Sequence, residues 1–194
     1  MKKVNRIEIC GNIASGKTTL AKAFSKELGY KALFEDFTSI PSLTDFYLNP
    51  NKYAFETESM FTLLHYYQLK KISGEFVVAD FSLIDDYAFA ITTLNKKEFD
   101  IYEKLFDHIL EEIGLPLRVV MLNTDTNTLL KRIATRRRGN ESPITSEYLA
   151  SVQKNIERVI AGKFPDIQIS SIDSAQIDIT EYNSCLLKKL VNII

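Results

Sequence analysis

Short apolar runs alternate with longer amphipathic stretches along this chain. The runs RIEIC (6–10), KALFE (31–35), EFVVAD (75–80), RVVML (118–122) and DIQISSI (166–172) have the length and β-branched content of strands. Between them, apolar residues recur at helical spacing over 17–28, about 51–72, about 85–112, 126–137 and 145–161. A last helix is predicted over about 180–193. Strands separated by long helices imply βαβ units, hence an α/β fold with a five-stranded parallel sheet and helices on both faces. Ligands of such sheets bind at the carboxyl ends of the strands. With no internal repeat and no linker, residues 1–194 read as a single domain. The most polar stretch, RRRGNESPITS (136–146), predicts a loop between two helices.

Composition narrows the class. Apolar residues make up 45% of the chain, enough for a sizeable core, and the formal net charge of -1 excludes a general polyanion binder. The apolar run in MKKVNRIEIC is too short for a signal peptide, and no segment reaches the roughly eighteen apolar residues of a membrane span. A cytoplasmic protein without membrane partners is the expectation. Cys10 and Cys185 are far apart in apolar surroundings and predict two buried thiols. His65 and His108 lack ligand spacing, so no protein-held metal cage is expected beyond a magnesium ion arriving with a nucleotide.

The chemistry begins at GNIASGKTTL, which fits G-x-x-x-x-G-K-[ST] through Gly11, Gly16, Lys17 and Thr18. A strand-like run precedes it and a helical pattern follows, the context in which backbone N–H groups and a helix N-terminus cradle phosphate oxygens. Lys17 then reaches the β/γ phosphates of ATP, and the Thr18 hydroxyl is a magnesium ligand. Asp80 ends the run FVVA, where a carboxylate at the top of a central strand joins Thr18 at that ion. Glu35 ends the second strand and faces the same crevice, where it could accept the proton of an attacking hydroxyl. Arg132, Arg136 and Arg138 end a helix and enter the polar loop, as suits a segment closing over transferred phosphoryl charge. The same arginines read equally well as a solvated basic patch, and one short cluster in a neutral chain does not make a nucleic-acid surface.

From Arg6 to about Leu149 these blocks resemble the deoxynucleoside kinases, the family containing deoxycytidine, deoxyguanosine and deoxyadenosine kinases. The loop GNIASGKTT is similar to the family's GNIGSGKST-type loop, and FEDFTSIPSLTDFYLNPNKYAF to its E-P…NP-x-L-x-x-FY-x-x-P-x-x-[YW]-x-F stretch. RIATRRRGNESPITSEYL resembles the family's arginine-rich lid, here about 136–146, and the helix after it. The resemblance implies a P-loop kinase fold that moves the γ-phosphoryl of ATP, with Mg2+, to the 5′-hydroxyl of a deoxynucleoside. It places the ATP phosphates against Gly11, Asn12, Ile13, Ala14, Ser15, Gly16, Lys17, Thr18 and Thr19. It makes Glu35 the base for the 5′-hydroxyl, sets Tyr47 and Glu141 at the sugar 3′-hydroxyl, and puts the lid arginines on the phosphates. Glu58 falls where many members carry a base-reading Gln, and some bacterial purine-preferring members carry Glu there. A helix over 51–72 would then place Glu58 in a groove with Phe55 and Leu63, as a neutral or ionised carboxyl against a purine edge. A homodimer is implied as well; the stripe MFTLLHYYQL (60–69) suits such a face or the core.

The chain departs from the family pattern beside the nucleoside. An acid-Arg-Ser triplet is usual after the third strand, and Asp80-Phe81-Ser82 stands here, with Phe81 in place of the arginine that serves the substrate's 5′ end. The segment FSLIDDYAFA is shorter by about one residue, so the base-contacting Asp of the family matches Asp85 or Asp86. A further base-site Arg is matched by His65. The expected substrate is a deoxynucleoside, with deoxyadenosine or deoxyguanosine favoured through Glu58. The alternatives are a thymidylate-type nucleoside monophosphate kinase, a nucleotide-binding ATPase or switch, and a member that binds nucleosides without phosphorylating them.

Overall fold

A computed structural model describes residues 3–72, 76–136, 144–175 and 184–191. Five parallel strands form one sheet in the order β2-β3-β1-β4-β5. They are β1 (Lys3–Gly11), β2 (Lys31–Leu33), β3 (Val77–Ala79), β4 (Leu115–Asn123) and β5 (Ile169–Asp173). The expected parallel α/β sheet is therefore present. The helices are α1 (Lys17–Leu28), α2 (Leu43–Leu48), α3 (Pro50–Leu69), α4 (Leu83–Thr93), α5 (Lys96–Ile113), α6 (Thr126–Arg136), α7 (Ser146–Lys163) and α8 (Ser184–Val191).

Period-two alternation in the central strand divides the core. Ile7 and Ile9 join Val78, Val120 and Leu122 on one face, against Leu20 and Phe24 of α1 and Leu187 and Leu190 of α8. Cys10, Ala79, Val119 and Met121 line the other face, under α4, α5 and α7. The connection after β1 runs toward β2 at one edge of the sheet and the connection after β4 toward β5 at the other, so a crevice opens above the carboxyl ends of these central strands.

Several expectations need correction. The helix over 85–112 is two helices, broken at Leu94 and Asn95. Asn95 accepts from the Glu98 N–H while Glu98 returns a bond to the Asn95 N–H, a capping box that restarts the chain as α5. The short helix α2, unanticipated, precedes Pro50 at the first turn of α3. Strand β2 stops at Leu33, two residues before Glu35. Cys10 is buried as expected, but Cys185 is exposed. The stripe at 60–69 splits: Thr62, His65 and Leu69 face inward, whereas Met60, Leu63 and Tyr67 are exposed. Among the described residues, no helix is long and apolar enough to cross a membrane.

Candidate active site

The phosphate loop joins β1 to α1. Gly11 has φ 151°, and a Cβ there would lie 2.8 Å from Ser15 Oγ and 2.9 Å from the Leu122 carbonyl oxygen, so only glycine fits. Gly16, at φ 107°, caps α1. Ala14 holds a left-handed φ of 62°, a conformation costly for a residue with a side chain. Lys17 Nζ curls over the loop, donating to the carbonyls of Gly11 and Asn12, and lies 3.6 Å from Asp85. Asp85 accepts from the Gly11 N–H (3.0 Å) and the Cys10 thiol (2.9 Å). Burial pushes its carboxyl up to about 6 against the pull of the Lys17 ammonium.

From the loop a polar chain crosses the crevice. Thr18 Oγ1 donates to Asp80 Oδ2 at 2.7 Å, and the Glu35 N–H donates to Asp80 Oδ1 at 2.7 Å. The Glu35 carboxylate lies 3.2 Å from His65 Nε2, and His65 Nδ1 meets Asp86 at 2.9 Å. Burial works against charge on His65, but the Asp86 and Glu35 carboxylates outweigh it and push the imidazole up to about 10. The ring lies flat on Phe81, centroids 3.9 Å apart and planes 3° from parallel.

Glu58 lies deeper, with 5% of its surface exposed, and its Oε1 accepts from Thr93 Oγ1 at 3.0 Å. Desolvation raises its carboxyl to about 8, with Asp86 and Glu35 adding to the rise, so it holds a proton at neutral pH. A cavity of about 490 Å³ connects these parts. Lys17, Thr18, Glu35, Tyr47, Glu58, His65, Asp80, Phe81, Asp85, Asp86, Arg132 and Arg136 all line it.

Most residues singled out from the sequence thus share one cavity, Lys17 and Glu35 among them. Gly11 forms the loop floor, and loop residues 12–19 open onto the cavity. Phe55 instead packs against the main core beneath α4 and α5, and Leu63 faces outward. Arg132 is committed to structure: it donates to the Ser15 carbonyl (3.1 Å) and to Ser174 Oγ (3.0 Å) and carbonyl (2.7 Å). Arg138 and Glu141 fall in 137–143, outside the described residues. Of the two aspartates matched to the family's base-contacting position, Asp85 grips the phosphate loop and Asp86 grips His65.

Sequence reasoning did not anticipate Ser174, which follows β5 and ties Arg132 to the loop by donating to the Ser15 carbonyl at 2.8 Å. It also overlooked Tyr148 and Phe89 on the cavity wall; neither carries a local signal beyond an aromatic in a helix.

Hard oxygen ligands suit magnesium, and the Thr18 hydroxyl in the first turn of α1, paired with the Asp80 carboxylate just after β3, fits that ion. No cluster of three or more His, Cys, Asp or Glu able to hold a metal exists among the described residues.

Residues 7–194 match the family described as deoxynucleoside kinase. The chain is 28% identical over 181 residues to the deoxyguanosine kinase of Bacillus subtilis (strain 168), covering 89% of this chain and 87% of that one. It is 26% identical over 166 residues to the deoxyadenosine/deoxycytidine kinase of the same organism, covering 80% and 76%. In fold it is similar to deoxyadenosine kinase from M. mycoides with bound dCTP, with a TM-score of 0.84 and 24% identity over 97% of this chain and 100% of that one.

Proposed function

The chain belongs to the deoxynucleoside kinase family, and on that premise we propose that it carries the γ-phosphoryl of ATP, with Mg2+, to the 5′-hydroxyl of a purine deoxynucleoside. The observation that carries this reading is the run of polar contacts from Thr18 through Asp80, Glu35 and His65 to Asp86, hydrogen-bonded at every link but the charge contact between Glu35 and His65. It links the phosphate end of the cavity to the end where Glu58 is buried.

Each residue has a part. The loop N–H groups and Lys17 hold the β and γ phosphates, and Lys17 leaves its loop carbonyls for phosphate oxygens of greater charge. Thr18 and Asp80 would hold magnesium, which would supply neutralisation of phosphate charge. Glu35, anchored through its N–H to Asp80, accepts the 5′-hydroxyl proton as the new P–O bond forms. Tyr47 and Glu141 serve the sugar, and Arg136 and Arg138 serve the phosphates. Arg132 acts through the loop that it fastens. Asp86 and Glu58 read the base. A protonated Glu58 offers one donor and one acceptor, which suits a purine edge of the same kind.

The test is a panel of deoxynucleosides, ribonucleosides and nucleoside monophosphates with ATP and Mg2+, scored for product. Purine deoxynucleosides should give the highest kcat/KM; a preference for monophosphate acceptors would reject the reading. Glu35→Gln should lower kcat by about 10²–10⁴-fold with a small change in substrate KM. Parent turnover in that variant would remove Glu35 as the base.

A further inference from the structure

His65 sits within α3 with 1% of its surface exposed, yet it borders the cavity. Three neighbours fix its ring. Phe81 stacks on one face, 3.9 Å away and nearly parallel. Asp86 meets Nδ1 with both oxygens, at 2.9 and 3.0 Å. Glu35 Oε1 stands 3.2 Å from Nε2.

The proton positions follow from these distances. Nδ1 faces a carboxylate that only accepts, so Nδ1 carries a proton. Nε2 faces a second carboxylate, and a lone pair there would meet another lone pair. Both nitrogens therefore carry protons, and the cation lies between two buried acids. The Nε2–H is near Glu35 but off the line of a good hydrogen bond, and Nε2 has no other partner among the described residues. The contact is a charge contact in a low-dielectric site, which draws the carboxylate toward the imidazolium without a directional hydrogen bond.

Glu35 needs such a hold. Its strand ends at Leu33, and Asp80 anchors its backbone but leaves the side chain free to rotate. A base that swings by about 1 Å loses on the order of a hundredfold in rate.

We infer that His65 is a positioning residue, an imidazolium stacked on Phe81 and gripped by Asp86 that holds the Glu35 carboxylate in its catalytic orientation. The inference rests on the reading of Glu35 as the base. It gives Phe81 a task as well: an arginine there would have competed for the same carboxylates, whereas a flat ring supports the imidazole.

His65→Gln removes the charge and keeps a polar side chain. Its kcat should fall about 10–100-fold, with KM for ATP within about twofold of the parent. The decisive comparison is made in the Glu35→Gln background. There, adding His65→Gln should lower the residual turnover by less than about threefold, because the carboxylate it held is gone. Equal fractional losses in both backgrounds would mean a structural role only and would overturn the inference, as would parent turnover in His65→Gln. Should His65→Gln fail to fold by thermal unfolding, Phe81→Leu carries the test. That variant removes the stack, and kcat should fall about threefold or more at unchanged KM for ATP; parent turnover overturns the inference. A fully active Glu35→Gln would instead reject the base itself, a failure distinct from that of His65.

Discussion

Glu58→Gln isolates the cost of a buried carboxyl. Desolvation raises Glu58 from 4.5 to about 8 in the folded chain. Unfolding exposes the group and returns it to its ordinary range. Between pH 4.5 and 8 the folded state therefore holds a proton that the unfolded state releases, and stability falls as pH rises. Below that window both states are protonated and the penalty is absent; above it the folded state has also ionised and the full penalty remains. The slope approaches 1.4 kcal/mol per pH unit, so the cost grows by about 2.5 kcal/mol between about pH 5.5 and 7.5. A glutamine amide has nearly the same shape and keeps the Thr93 hydroxyl bonded, but it does not titrate. The stability advantage of Glu58→Gln over the parent should rise by that amount across the interval. Urea denaturation of both proteins at several pH values, followed by circular dichroism, measures it. A second readout concerns recognition. The parent's ratio of kcat/KM for deoxyguanosine against deoxyadenosine should drift as pH passes through 8, where Glu58 loses its donor, while the variant's ratio stays level. Parallel stability curves would refute the reasoning, because they would show that Glu58 ionises alike in both states.

Lys17→Ala should reduce kcat/KM by at least about a thousandfold, since the phosphates lose their charge partner; the coupled kinase assay measures it. Ala14→Gly should raise stability by about 0.5–1 kcal/mol in urea denaturation, because glycine adopts the left-handed φ of 62° without strain. Arg132→Met should cost about 1–3 kcal/mol of stability by orphaning the Ser174 carbonyl and leaving the Ser15 carbonyl to Ser174 Oγ alone, and it should raise KM for ATP through a looser loop.

The parts of this molecule that could be read in advance are those with local causes. Alternating Ile7 and Ile9 make a strand, and Gly11 and Gly16 make a loop whose backbone other residues cannot follow. The break at Asn95 was also local: N-K-K-E is a capping-box signal, and the periodicity of the flanking helices masked it. Arg6 and Glu8 show where local reading fails. Alternation marks them as a polar face, and polar faces of strands ordinarily meet solvent. Both are 1% exposed. They bind each other at 2.7 Å, and partners far along the chain complete them. Arg6 donates to the Gly114 carbonyl at 2.9 Å, and Glu8 accepts from Ser82 Oγ at 2.9 Å and the Leu83 N–H at 3.1 Å.

That buried network bears on the site above it. Glu8 holds the first turn of α4, and Asp85 and Asp86 lie in the same turn. Their opposite duties follow from helix geometry: adjacent helical residues point about 100° apart, so one carboxylate reaches the Gly11 N–H and the other His65. No sequence pattern distinguishes two neighbouring aspartates; the direction of the helix does, and the Glu8 contacts help to fix that direction. The same logic explains why the Phe81 departure misleads when read alone. A lost arginine suggests lost charge alone, but the ring at 81 supports a group from another element: His65 of α3, sixteen residues earlier in the chain, stacks against it. No local pattern pairs positions 65 and 81; only the packing of α3 against the residues that follow β3 brings the two rings together.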